Sequence, residues 1–490
     1  MRASGPPASP ALAPVGASTW AALAALIALG AGLRLYGLDI QSLWNDELGS
    51  VTNSMRETFA KTYFYGVDPE HPPTYYLTLR LWLQLAGDSA VAARLPSAVC
   101  GIATIAAMFA LGRRWFGAAE GLIAAGITTV AYVPVYFSQE ARSYAVLLLA
   151  VTLSTVWLTD VVAALRRGTQ PTRAVRAAFI LAAIVASQAH FFGTLFVLLQ
   201  AATAALLLWP RWLALRRLAA VYAVVAVAFL PCALRFLWMP PSTPTWLPPP
   251  GAGAFWQQLQ YLFNDSRALA VAALVLWAPL LVQAARRPRG EAYTWLAVAW
   301  LIVPMAIAFA WSYWSQPVFM DRALIIVAPA AYLLAARGLT QLPLPRPAVA
   351  ALAAALLAYL LADLLATRRY YTRLFKGQFR EAAAHLVAGD DPARPALVLA
   401  CSFNPRYYDY YLRHFGSPRR VEAVIRTPAE AAAQAARLAA QPPEQLWLLS
   451  GHIDCDPALL ASLRASMTQV DEARFRRAAV WHFVRRQPEG

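Results

Sequence analysis

Asp46 and Glu47 stand side by side in the stretch Trp44-Asn45-Asp46-Glu47, a few residues beyond an apolar run that ends near Leu38. A carboxylate at the edge of an apolar environment can take a proton from a hydroxyl or hold a metal ion. The same pair also reads as two ordinary solvated loop acids. Further along, His71-Pro72-Pro73 precedes Tyr75 and Tyr76, and Ser138-Gln139-Glu140 runs into Arg142, Ser143 and Tyr144. His190 interrupts a long apolar run, and Asp321 is followed by Arg322. Ionisable groups at membrane depth are costly and usually mark a functional cavity. Each also has a plainer reading. Glu140 and Arg142 can cap a helix junction, His190 can be a satisfied helix-end histidine, Asp321-Arg322 can be an interfacial pair, and His-Pro-Pro can be a rigid turn.

What must position these residues follows from composition. The chain has 490 residues, 59% hydrophobic and only 14% charged, where soluble domains carry about a quarter. It is a polytopic membrane protein. The net charge of +16 does not point to nucleic acid, because the arginines fall in short clusters between apolar runs. That is the positive-inside pattern. Lys61 and Lys376 are the only lysines, a bias that reads as genomic rather than functional. Cys100 and Cys232 fall inside apolar spans and read as core residues. Cys401 and Cys455 fall in the polar C-terminal region, each just after a predicted strand, and can pair if that region faces an oxidising compartment.

A membrane-crossing helix needs about 20 apolar residues. Eleven spans are expected, near 19–38, 95–112, 118–137, 143–165, 176–190, 192–210, 218–239, 267–285, 292–312, 322–339 and 347–366. The fifth and sixth come from one long run, divided at the polar His190. The first lacks a clear cleavage site and reads as an uncleaved helix rather than a signal peptide. With the N-terminus in the cytoplasm, five arginine clusters fall on the inside. These are Arg113-Arg114; Arg166-Arg167 with Arg173 and Arg176; Arg211 with Arg216-Arg217; Arg286-Arg287 with Arg289; and Arg337 with Arg346.

The first outside loop, 39–94, is the longest between helices. Its stretch 74–86 reads as an amphipathic helix along the membrane surface; were it to cross, the arginine pattern would invert from there on. The division expected is a transmembrane domain over 1–366 and a soluble α/β domain over 367–490. In the latter, helices near 378–388, 405–415, 428–440 and from 457 alternate with strands near 396–400, 420–425, 445–450 and 478–484. An odd number of spans puts this domain outside. No internal repeat, P-loop or dinucleotide fingerprint is present.

On this topology Asp46, Glu47, His71, Glu140, Arg142, Tyr144, His190 and Arg322 all map to outer helix ends. A chance distribution would scatter them over both faces. Trp44, Tyr63, Tyr65, Trp246, Trp311 and Trp314 fall near the same loops, where they fit interfacial anchoring and can also stack on a sugar.

The order of motifs is specific. A first helix is followed by Trp-Asn-Asp-Glu (44–47), His-Pro-Pro-Thr-Tyr-Tyr-Leu (71–77), Gly-Asp-Ser (87–89), Ala-Arg-Leu-Pro-Ser-Ala (93–98) and Ser-Gln-Glu-Ala-Arg-Ser-Tyr (138–144). This order resembles the GT-C membrane glycosyltransferases, in the bacterial branch related to protein O-mannosyltransferases and aminoarabinose transferases (families 39 and 83). It looks closest to the RgtA/B/C/D-like group, some of which modify lipopolysaccharide. The resemblance covers about residues 19–340 and continues loosely through the C-terminal domain.

The resemblance implies a multi-pass bacterial inner-membrane enzyme with a periplasmic C-terminal domain and a polyprenyl-phosphate-linked hexose or pentose donor. The acceptor it implies is an envelope molecule: lipid A or core, another glycolipid, a polysaccharide or a protein. It carries the catalytic base to Asp46, the second acid of the motif to Glu47 and a further acidic position to Glu140. It carries a substrate-cavity motif to His71 and a donor-phosphate contact to Arg322. Some relatives use a divalent metal and others do not; no ligand cluster stands out here, so a metal stays open.

Asp46 would remove the proton of an acceptor hydroxyl as its oxygen attacks the anomeric carbon, and Arg322 or Arg142 would stabilise the departing phosphate. A single displacement inverts that centre. Two other classes remain open at this point: a lipid or solute transporter, and a non-catalytic envelope assembly factor. The first calls for midplane charges and often repeat symmetry. The second calls for indifference to the charge at Asp46.

Overall fold

The computed structural model describes residues 14–65, 71–239, 247–287 and 290–486, with nothing said of the Tyr65 side chain. Trp246 and Arg289 lie outside the described residues. The chain divides into two compact units. One comprises Met1–Tyr36, Glu57–Trp82 and Ala92–Tyr370; the other comprises Gly37–Arg56, Leu83–Val91 and Tyr371–Gly490.

Among the described residues of the first unit, nine helices are long and apolar enough to cross a membrane, and ten if one bent pair counts as a span. They include Ala17–Leu35, Ala90–Trp115, Tyr144–Arg166, Phe191–Leu208, Trp212–Trp238, Arg267–Arg286 and Ala292–Trp314. The expected fifth span is also a helix, Arg173–Ala189, of 17 residues. The helical stretch Ala323–Thr340 is 89% buried over its apolar window and so forms the middle of the bundle. The protein is thus a multi-pass membrane protein.

Two breaks in this helical pattern have local causes. The bent pair is Ala118–Val130 and Tyr132–Ser138, at 58°. Pro134 has no N–H for the carbonyl of Val130, and its ring crowds that carbonyl, which favours a break here. The Tyr132 N–H freed by the break is taken up by Oδ1 of Asn264 at 2.8 Å. The bend returns Ser138 and Gln139 to the end of the first helix, where Nε2 of Gln139 donates to the carbonyls of Leu33, Arg34 and Tyr36. The second break falls at His190, which is extended and accepts the Phe192 N–H on Nδ1 at 3.1 Å as a helix N-cap. A side chain on Gly193 would meet the carbonyl oxygen of Ala186 at 1.9 Å, so the two helices approach there as only glycine allows.

In the second unit, strands β1 (Ala396–Cys401), β2 (Ala423–Val424), β3 (Gln445–Gly451), β4 (Met467–Phe475) and β5 (Ala478–Arg485) form one sheet in the order β2-β1-β3-β5-β4. β1 pairs in parallel with β2 and β3, and β5 pairs antiparallel with β3 and β4. Leu399, Leu446, Leu448, Leu463, Trp481 and Phe483 share one core cluster, which also holds the Cys401–Cys455 disulfide. Phe379, on the helix Phe379–Gly389, packs against Tyr408. The sequence expectation missed β4, whose Asp471, Glu472 and Arg474 break the apolar alternation. It is an edge strand with a bulge between Gln469 and Asp471, where charges are tolerated and guard the edge.

Candidate functional site

In the first unit, His71, Tyr76, Arg142, Tyr144 and His190 converge. Arg142 lies within 2.9 Å of Nε2 of His71 through Nη2, and within 3.4 Å of the Tyr76 hydroxyl through Nη1. Its guanidinium sits 5.8 Å from the centre of the Tyr144 ring. The His190 ring lies 5.8 Å from that of Tyr144 and 5.4 Å from that of His71. Arg142 and His190 are only 8% and 7% exposed, so this is a buried cationic group lined by rings. Arg142 and Arg322 are both close enough for their charges to act on His190. Four of the five residues predicted from sequence to bind substrate therefore stand together, with Arg322 within electrostatic reach.

The helices explain the convergence. His71 and Tyr76 flank the start of the helix Thr74–Ala86, Arg142 and Tyr144 introduce Tyr144–Arg166, and His190 caps Phe191–Leu208. Ser97, just past Pro96, holds the Arg142 carbonyl at 3.2 Å. Thr74 donates to Gln188 at 2.7 Å, tying the Thr74–Ala86 helix beside the His190 break. Glu140 is 1% exposed and hydrogen-bonds the Tyr136 side chain. Arg34, which sequence reasoning did not single out, is fully buried and donates to Ser138 and to the carbonyls of Thr128 and Thr129.

In the second unit, Asp46 and Glu47 occupy the first turn of the helix Asn45–Ser54. They differ sharply. Glu47 is fully buried, with Oε2 accepting from Nζ of Lys376 at 3.0 Å, and Lys376 is itself buried. Asp46 is half-buried, with Oδ1 3.3 Å from Nδ2 of Asn45. The turn before the helix is tied down by Gln41, which accepts the N–H groups of Phe375 and Lys376, and by Tyr411, which accepts the Leu43 N–H at 2.7 Å. Gly49 faces the Tyr407 hydroxyl, which would lie 3.3 Å from an added Cβ.

His452, at the end of β3 and in the left-handed region with φ 66°, feels the charge of Asp46. Burial and Arg477 pull its imidazole below the usual value, and Asp46 works the other way. Sequence reasoning missed both His452 and Lys376. Lys376 carried a signal, as one of two lysines in an arginine-rich chain. Among the described residues no three of His, Cys, Asp and Glu converge as a metal site.

Residues 70–238 match the family "Dolichyl-phosphate-mannose-protein mannosyltransferase", a stretch that contains His71, Glu140, Arg142, Tyr144 and His190 but not Asp46. No curated protein sequence matches the chain. The fold is similar to that of ArnT from Cupriavidus metallidurans. In the apo state the TM-score is 0.65 at 16% identity, covering 95% of this chain and 98% of that one. In the form bound to undecaprenyl phosphate it is 0.59 at 17% identity, with the same coverage. Residues 70–238 are thus similar to the protein mannosyltransferase family, and the chain shares the ArnT fold over 95% of its length.

Proposed function

We propose that this protein transfers a sugar from a polyprenyl-phosphate donor to a hydroxyl of an envelope acceptor, with inversion at the anomeric carbon. The observation that carries the reading is the buried Arg142, held by His71 and Tyr76 and flanked by Tyr144 and His190, inside the stretch that matches the mannosyltransferase family. A guanidinium in a partly dry, ring-lined setting suits a phosphate whose charge grows as it leaves. The ArnT structure with undecaprenyl phosphate supports a lipid of that class as carrier.

Asp46 is the general base in this reading. It takes the proton of the acceptor hydroxyl, the oxygen forms its bond to C1 of the sugar, and the C1–O bond to phosphate breaks. The electron pair leaves with the polyprenyl phosphate, toward Arg142 and Arg322. Glu47 is committed to Lys376 and acts as a positioning residue for the helix that bears Asp46. Glu140, paired with Tyr136, takes the further acidic position that the family resemblance assigns. A divalent metal, if used, has no trio of side chains assembled for it among the described residues, and no step is assigned to one.

The C-terminal domain belongs on the periplasmic face of a bacterial inner membrane in this reading. The arginine clusters support that orientation, as does the Cys401–Cys455 disulfide, which persists in an oxidising compartment. The acceptor is lipid A or core, another glycolipid, a polysaccharide or a protein. Mass spectrometry of envelope glycolipids, glycans and glycoproteins in deletion cells tests this. One sugar increment is expected to vanish and to return with the wild-type gene but not with a stably inserted Asp46→Asn variant. Restoration by that variant would remove Asp46 as base and favour a transporter or assembly role.

A further inference from the structure

A cavity of about 340 Å³ opens in the first unit toward the opposite end of the helix that His190 caps. Its walls come from Tyr144–Arg166, Phe191–Leu208 and Ala292–Trp314. Phe196 and Trp300, with ring centres 4.9 Å apart, close its floor, together with Gln200, which donates to Ser154 and Thr155. Trp115, stacked on Tyr293 at 5.5 Å, forms one side. Leu158, Val162, Leu199 and Leu207 supply much of the rest. From Thr155 to Arg166 the cavity wall runs about 16 Å at the helical rise.

The mouth has a different character. Arg166, Arg167 and Arg211 line it; Arg211 donates to the backbone carbonyl of Arg166, and the charges of Arg211 and Arg166 act on each other. Among the described residues none of the three has a carboxylate partner. Arg114 and Arg337, at the same end of the bundle, are paired with Asp160 and with Glu120 and Glu291. Three like charges above an apolar slot repel one another unless an anion joins them.

We infer that this cavity is a binding site for an anionic phospholipid, with one acyl chain between the three helices and its phosphate under Arg166, Arg167 and Arg211. The apolar depth matches a chain, the arginine rim matches a headgroup of opposite charge, and basic pockets between membrane helices bind such headgroups. The headgroup site at the arginine rim lies about 27 Å from His190 along the 18-residue helix Phe191–Leu208, although the apolar floor at Phe196 comes within about 9 Å of it. It is therefore distinct from the place proposed for the donor phosphate.

The full-length protein, purified in mild detergent, is incubated with phosphatidylglycerol or phosphatidylcholine of identical chains, and retained lipid is counted by native mass spectrometry. Phosphatidylglycerol is expected to be retained in preference. The combined variant Arg166→Gln, Arg167→Gln, Arg211→Gln should bind it roughly a hundredfold more weakly, at about 1 kcal/mol per surface arginine. Thr203→Trp, which fills the cavity and leaves the rim intact, should also lose it. The inference is overturned if both lipids are retained equally, or if neither variant changes retention. Displacement of phosphatidylglycerol by undecaprenyl phosphate, itself lost from Thr203→Trp, would also overturn it, because the cavity would then house the donor's tail. Loss of the sugar transfer in cells without any change in lipid retention would instead concern only the proposed function.

Discussion

Nζ of Lys376 lies 3.0 Å from Oε2 of Glu47, with the two side chains 3% and 0% exposed, across 329 positions of sequence. An ion pair this buried contributes little net stability when both partners are present, but removing one leaves a charge with neither water nor partner. Lys376→Met or Glu47→Gln alone is therefore expected to destabilise by about 3–5 kcal/mol. The double variant should recover much of that loss. Thermal unfolding in detergent, read with activity, checks this; single variants as stable as wild type would show that the pair does not hold the helix bearing Asp46.

Asp46, one residue away, should behave in the opposite way. It is half-buried, so Asp46→Asn should leave thermal stability near wild type. Turnover should fall by roughly 10²–10⁴, the usual worth of a general base, with the donor KM little changed. A fall in stability matching the fall in rate would reassign Asp46 to structure.

Arg142 is expected to matter through the shape of its contacts. Its two terminal nitrogens reach His71 and Tyr76 at once, which the single ammonium of lysine cannot reproduce. Arg142→Lys should thus lose most of what Arg142→Gln loses, with kcat/KM for the donor down by about 10²-fold, the scale for one oxyanion-stabilising donor. Steady-state kinetics with a synthetic polyprenyl-phosphate sugar reads this directly. Full activity in Arg142→Lys would mean that only the charge is used.

The sequence carried the helices because each needs an apolar run of fixed length, and it carried the break at His190 because a polar residue divides a run too long for one crossing. His71, Arg142, Tyr144 and His190 were legible as a group for the same reason: charge and polarity in apolar surroundings stand out. Lys376 stood out only as one of two lysines, without its partner, and His452 was not legible. Their link to Asp46 and Glu47 joins segments more than 300 residues apart, and no local pattern encodes such a pairing. The edge strand Met467–Phe475 hid behind its charges, which protect an open edge but erase the alternation that signals a strand.

His414 and Asp88 give the second unit a dependence on pH. Nε2 of His414 lies 3.1 Å from Oδ1 of Asp88, which also pairs with Arg413, while the Tyr410 hydroxyl donates to the Asp88 carbonyl at 2.6 Å. The hydrogen bond to Asp88 raises His414 above its ordinary 6.5, and the same bond lowers Asp88 below its ordinary 3.8. For the histidine, the stabilisation is fully present below 6.5 and is lost as pH rises through the raised value. For the aspartate, it is present above 3.8 and is lost as pH falls through the lowered value. The contribution is therefore greatest between these ordinary values and declines as pH rises past 6.5. His414→Gln should flatten the alkaline side of the stability profile while leaving the acid side sloped by Asp88 and Arg413. Melting temperature against pH for wild type and His414→Gln makes the comparison. Two superimposed profiles would mean that His414 stays neutral beside Asp88 and takes no part in holding this loop to the helix Arg406–His414.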